Sequence, residues 1–231
     1  MSWLLENWPR VVELMADHLR LSLPPILFAT LIAVPLGRLA FRRPRIGGPL
    51  LSTAALAYSI PALPLLIVIP VALGVPLRSW QNMVVMLTVY GVALLVRSAA
   101  DSFASVDPKV REAAVAIGYS QPGLFWRVDL PLALPVLISG VRVVAVSTIS
   151  LVTLGALIGV SSLGTLLTDG FQRGIAAEVW VGVLATVALA LVCDVLIIAL
   201  GRGLSPWARA LRSKRGPRSR AGSTVRSRVA Q

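Results

Sequence analysis

Arg142 and Asp194 are the charges that sit deepest inside apolar runs of this 231-residue chain, and an ionisable side chain in that setting needs a partner or a path. Arg142 lies seven residues past Pro135 and Asp194 seven before Gly201, so at about 1.5 Å per residue each is on the order of 10 Å from the same boundary. Equal depth and opposite sign predict an ion pair joining two helices, a structural role favoured over a proton relay. A second polar interruption is Ser59-Ile60-Pro61-Ala62-Leu63-Pro64, where two prolines three apart each remove a backbone donor and break the helix. Irregular backbone at membrane depth survives only inside protein or beside a water-filled path, which makes Ser59, Pro61 and Pro64 candidates to line one. Ser147 and Thr148 either face the same path or bond across helices.

Hydrolytic chemistry has no residues to work with. There is no glycine-lysine pair and hence no P-loop, the single histidine excludes an HExxH site, and no GxSxG occurs. No catalytic residue, metal ligand or cofactor bound by this chain is expected. Cys193 is the single cysteine, so no internal disulfide can form, and its place in an apolar run makes it a small core residue.

The elements that must hold these residues are membrane helices. With 56% hydrophobic and 14% charged residues and a mean hydropathy of +0.82, the composition is that of an all-α integral membrane protein. Five apolar spans are expected at about 18–41, 48–73, 83–100, 134–158 and 180–200, within a membrane domain covering 18–203. Residues 1–17 place Trp3, Leu4, Trp8, Val11, Val12 and Met15 at helical spacing among Glu6, Arg10, Glu13 and Asp17, the pattern of an interfacial amphipathic helix. No removable signal peptide is recognised, and the first span should direct insertion. Arg97 and Asp101 are four apart and can pair weakly on one helix face.

Five spans put the termini on opposite sides. With the N-terminus outside, 17 lysines and arginines fall inside and four outside, with Arg142 left within a span, so the positive-inside rule places the C-terminus and the loop 103–133 in the cytoplasm of a cell membrane. The net charge of +12 therefore reads as a topology signal, not a nucleic-acid surface. The basic tail at 204–231 has little apolar to bury, is expected to be disordered and suits anionic lipid.

The segment 106–135 carries charge of both signs together with helix formers and turn residues. Asp107-Pro108 is an N-cap followed by proline at the first helical position. Gly118 ends that helix, and Ser120-Gln121-Pro122 starts a second one, expected to run through Trp126 and Arg127 before Pro131. Small Ala113 and Ala114 lie on a face that another protein can approach closely.

Glu112-Ala113-Ala114, then Gly118 after three residues, then Val128-Asp129-Leu130-Pro131 after nine more, resembles the EAA signature of ABC importer permeases, with valine in place of its isoleucine. The run Ser59 to Leu63 resembles the S/T-I-P-S/A-L run of permeases for glycine betaine, carnitine and choline. His18-Leu19-Arg20-Leu21-Ser22, the stretch from Leu130 to Arg142 and Ala156-Leu157-Ile158-Gly159 are similar to the same group. The resemblance implies a type I ABC importer permease fold and an EAA coupling helix bearing Glu112, Ala113, Ala114, Gly118, Leu130 and Pro131. It also implies separate ATPase subunits that carry ATP and magnesium, a second permease subunit of the same or a related chain, and an extracytoplasmic solute-binding protein. Aromatic cages for quaternary ammonium groups are expected on that binding protein, and no aromatic cluster is apparent in this chain. The implied function is import of a small osmoprotectant. The alternatives are a permease for another small solute, such as an amino acid or a betaine-like thiol, and a passive osmotic channel or scaffold.

Overall fold

In this computed structural model residues 2–207 are described; from residue 208 onward the expected basic tail lies outside them. Within hydrocarbon a chain must satisfy its peptide groups internally, which helices do, and every regular element among the described residues is helical. In chain order these are α1 (Ser2–Arg42), α2 (Pro44–Ser59), α3 (Ala62–Leu73), α4 (Trp80–Ala104), α5 (Pro108–Ala116), α6 (Gln121–Leu124), α7 (Leu130–Val152), α8 (Gly164–Arg173) and α9 (Ala176–Leu204). A π-helical turn, Phe125–Asp129, joins α6 to α7, and a 3-10 turn, Thr153–Ile158, follows α7. Four helical stretches are long and apolar enough to cross a membrane, and α2 with α3, bent by 106°, makes a fifth when taken as one broken span.

α4 is the central helix, packed by α1, α7, α2 and α3. Small residues bring it close to α1: a Cβ on Gly37 would lie 2.5 Å from Ala99 Cβ, and one on Gly91 would lie 2.6 Å from Ala29 Cβ. Such close approach is how helices gain contact where lipid removes the hydrophobic drive for association.

The break between α2 and α3 has a specific repair. Ile60 and Pro61 are extended. Pro64 has no N–H for the Ile60 carbonyl, and Pro70 has none for that of Leu66. The Tyr90 hydroxyl donates to Ile60 O, and Asn82 Nδ2 donates to Leu66 O at 3.1 Å. Both freed acceptors are thus met from α4, so neither carbonyl is left unpaired at the break.

Three sequence expectations change. The boundary expected at residue 17 is not a break, because α1 runs through it unbroken. Val11 and Leu14 are buried with Ile149, Leu163 and Leu166, so this stretch turns its apolar stripe toward its own chain, while Leu5, Trp8 and Val12 stay exposed. The second helix of the polar loop does not run to Trp126 and stop. α6 ends at Leu124 and the chain continues through the π turn, where Leu130 N bonds Phe125 O, so that Pro131 begins α7 instead of closing what precedes it. The fourth span accordingly starts near Leu130, and its last six residues, Thr153–Ile158, are a 3-10 turn. α8 was not anticipated.

The two ends of the bundle are distinct. Gly201 approaches Ile138 so closely that a Cβ would lie 2.7 Å from Ile138 Cδ1, which sets the end of α9 beside the start of α7 and the polar loop. At the other end Arg10 bonds Asp169 at 2.5 Å and the fully buried Glu178 at 3.0 Å. Arg173 Nη1 stands 3.7 Å from the second Glu178 oxygen. Just below, the buried His18 ties three elements, accepting from Leu163 N at 3.3 Å on Nδ1 and donating from Nε2 to Ile149 O at 2.9 Å.

Candidate functional site

α5 begins where the sequence places it: the Asp107 side chain accepts from Lys109 N at 2.9 Å, with Pro108 in the first turn. It ends in a paired turn, Gly118 N to Val115 O at 3.0 Å and Tyr119 N to Ala114 O at 3.1 Å, the Schellman arrangement that wants glycine in the left-handed region. Gly118 has φ +91. Ser120 then caps α6 by accepting from Gly123 N.

The surface this builds is mixed. Glu112, Ala113 and Gly118 are exposed, as are Val115, Ile117 at 76% and Trp126 at 65%. An open hollow of about 540 Å³ is lined by Ile117, Gly118, Tyr119, Pro122, Trp126 and Arg127. Ala114 is buried, so of the two small residues expected on an approachable face only Ala113 is there; Ala114 closes α5 onto its own chain. Leu130 and Pro131 are half-buried at the head of α7.

What fixes this loop to the bundle is a cluster that sequence reasoning missed. Buried Asp129 accepts from Arg111 Nε at 2.6 Å, and Arg38 Nη2 of α1 lies 4.0 Å from its other oxygen. Arg111 also donates to the carbonyls of Phe103, in the last turn of α4, and of Val106, just past it. Each guanidinium covers a ring, Arg38 over Phe125 at 3.6 Å and Arg111 over Phe41 at 4.6 Å, the stacking to which a planar cation is suited. Arg42 adds a hydrogen bond to Gln121. The one available signal was an acid flanked by Val128 and Leu130 in a chain rich in arginine; its partners, 18 and 91 residues away, were not readable.

The pair expected between two spans is present. Arg142 Nε and Nη2 donate to the two Asp194 oxygens at 2.6 and 2.8 Å, the two-pronged geometry that suits guanidinium and carboxylate. It borders a cavity of about 690 Å³ between α7 and α9. Arg142→Gln and Asp194→Asn are each expected to lower the thermal unfolding temperature in detergent, with the double variant more stable than the sum of the single losses. A double variant as unstable as that sum removes the pairing.

Ser147 lies in the wall that this cavity shares with a second one of about 320 Å³ between α2, α4 and α7. Thr148 lines the second cavity alone. Ser59, Pro61 and Pro64 are exposed and line neither; the Ser59 hydroxyl donates to Ala55 O at 3.0 Å. Arg97 and Asp101 are exposed and 3.7 Å apart. Among the described residues no group of His, Cys, Asp or Glu is placed to hold a metal ion.

Comparison with known proteins agrees with this architecture. Residues 26–210 match the family of binding-protein-dependent transport system inner membrane components. The chain is 27% identical over 212 residues to the carnitine transport permease protein OpuCD of Listeria monocytogenes, covering 91% of this chain and 92% of that one. It is 31% identical over 215 residues to the osmoprotectant import permease protein OsmW of Salmonella typhimurium, covering 88% and 96%. Its fold matches a solved inward-facing form of the MetNI methionine ABC transporter with a TM-score of 0.75 and 21% identity, over 89% of this chain and 98% of that one. With a family match over most of its length and this helical fold, the chain belongs to the binding-protein-dependent transport system inner membrane components, as a multi-pass permease subunit.

Proposed function

We propose that this chain is the membrane-spanning subunit of an ATP-driven importer that moves a small osmoprotectant of the glycine betaine, carnitine or choline type into the cytoplasm. The observation that carries the coupling half of this reading is the exposed ledge of Ile117, Gly118 and Trp126, tied to the bundle through the ion pairs of Asp129. An apolar, turn-edged surface at the end of a soluble loop fits a cleft of a partner protein, and an ATPase subunit carrying ATP and magnesium is that partner. The substrate half rests on relatives named for carnitine and osmoprotectants. The N-terminus lies outside and the C-terminus inside, supported by the arginines at the α5 end of the bundle. A second permease subunit, identical or related, completes the path, and an external binding protein delivers the solute.

The test is uptake of labelled glycine betaine, carnitine and choline, each competed by the others, in cells with and without this chain, together with copurification of an ATP-binding subunit. Uptake that depends on the chain and on ATP is expected. Uptake that persists without ATP makes the chain a passive channel, and no chain-dependent uptake of any of the three removes the substrate class.

A further inference from the structure

The cavity of about 320 Å³ between α2, α4 and α7 combines three features that the coupling machinery does not use. First, two aromatic rings form part of its wall: Tyr58 and Tyr90 stand edge to face with centroids 5.9 Å apart at 66°. Tyr90 is buried and its hydroxyl is committed to Ile60 O, which fixes its ring in place, while Tyr58 is 48% exposed, two residues before the helix break. Second, serine and threonine in a helix commonly donate back to a carbonyl one turn earlier, and Ser139, Ser150 and Thr153 of the same segment all do so. Ser147 and Thr148 do not: neither hydroxyl makes a hydrogen bond among the described residues, and both line the cavity. Third, no charged side chain lines it.

These features select a ligand class. A wall without charge disfavours any solute with net charge, since burying an unpaired ion in low dielectric is costly. Tyrosine faces attract a cation through the ring quadrupole and need no carboxylate to do so, the means by which quaternary ammonium groups are recognised. Two uncommitted hydroxyls on the opposite helix supply the donors that a carboxylate takes. The volume lies at the small end of the range for ligand sites.

We propose that this cavity is a transit site inside the permease for a zwitterion with a quaternary ammonium head, with Tyr58 and Tyr90 against the head and Ser147 and Thr148 holding the carboxylate. The proposal rests on the import reading and sharpens it: a betaine, with both charges, fits the site, and choline, with only the cation, lacks the group the hydroxyls await. It adds a solute site to the membrane subunit, in addition to the one expected on the external binding protein.

Equilibrium binding of radiolabelled glycine betaine to the permease–ATPase complex without binding protein tests it. Saturable binding is expected, weakened about tenfold by Tyr58→Leu, which keeps apolar bulk and loses the ring, and held within about twofold by Tyr58→Phe. Ser147→Ala is expected to weaken glycine betaine and leave choline unchanged. tert-Butylacetate, the isostere with a neutral head, is expected not to compete. Binding that Tyr58→Leu leaves unchanged, or that tert-butylacetate competes equally, overturns the site. Wild-type complex that shows no saturable binding yet imports glycine betaine when the binding protein is added overturns the site alone. Failure of import as well overturns the import reading and the site together.

Discussion

Gly118→Asp is expected to leave the chain inserted and folded while ATP-dependent uptake falls at least about tenfold. Nothing lies within 4 Å of a Cβ placed on Gly118, so no neighbour in this chain is displaced. At φ +91 a residue with a Cβ strains the turn by up to about 1–2 kcal/mol, least for aspartate and asparagine, and an acid at a helix C-terminus is further disfavoured by the helix dipole. Those local costs are borne by a short loop helix and do not reach the spans. The large effect is intermolecular, because an unpaired carboxylate in a closed protein contact costs about 2–5 kcal/mol. Gly118→Asn separates the two: it matches aspartate in shape, tolerates the left-handed region and carries no charge. Asparagine is expected to retain most uptake. Membrane-fraction levels, copurification with the ATPase subunit and initial uptake rates read the three quantities independently. Normal uptake by Gly118→Asp removes Gly118 from the docking surface.

Asp129→Ala is expected to cost about 3–5 kcal/mol, as removal of one partner from a buried ion pair does. The loss should be local. Arg38 and Arg111 are each only 17% exposed at the side chain; without Asp129 they would be two like charges held close together over Phe125 and Phe41. Arg111 keeps its bonds to the carbonyls of Phe103 and Val106, so α5 stays near the bundle, but the link from the π turn to α5 is gone. Faster amide exchange across 106–129, with exchange in α4 and α9 unchanged, is the expected signature. ATP hydrolysis that continues while uptake falls is expected alongside it, since a loosened loop still docks but transmits less. Exchange rising equally in all spans shows Asp129 to be a general stability residue instead.

These two residues mark how far the sequence could be read. Gly118 was legible because its role is local: a helix that starts at Asp107-Pro108 and reaches glycine must turn there. The spans were legible through hydropathy, and Arg142 with Asp194 through depth and sign, since two charges at one level in hydrocarbon have few other places to go. The helix break at Pro61 was legible too, but its repair was not, because Tyr90 and Asn82 lie in another helix and nothing local marks them as donors. Asp129 failed for the same reason. Composition changes at residue 17, yet neither Asp17 nor His18 stops a helix, and α1 runs on through both with Val11 and Leu14 packed into the bundle. The cavity between α2, α4 and α7 is half visible in the sequence: Ser147 and Thr148 stand out as polar residues in an apolar span, whereas Tyr58 and Tyr90, 32 positions apart, meet only once α2 is laid against α4.

The unbroken run of α1 has a mechanical meaning. Arg10 grips Asp169 and Glu178 at one end of the molecule, and Arg38, 28 positions further along α1, faces Asp129 at the other, about 42 Å of helix. One continuous helix is therefore the shaft between the ion pairs at the two ends of the bundle. Its residue count becomes a quantity of its own, independent of side-chain identity: deleting a single residue rotates one grip against the other by about 100° and shortens the shaft by about 1.5 Å. Seven added residues restore the angle to within about 20° while leaving the shaft about 10 Å too long. Length and phase of α1 cannot both be kept by any insertion between its two grips.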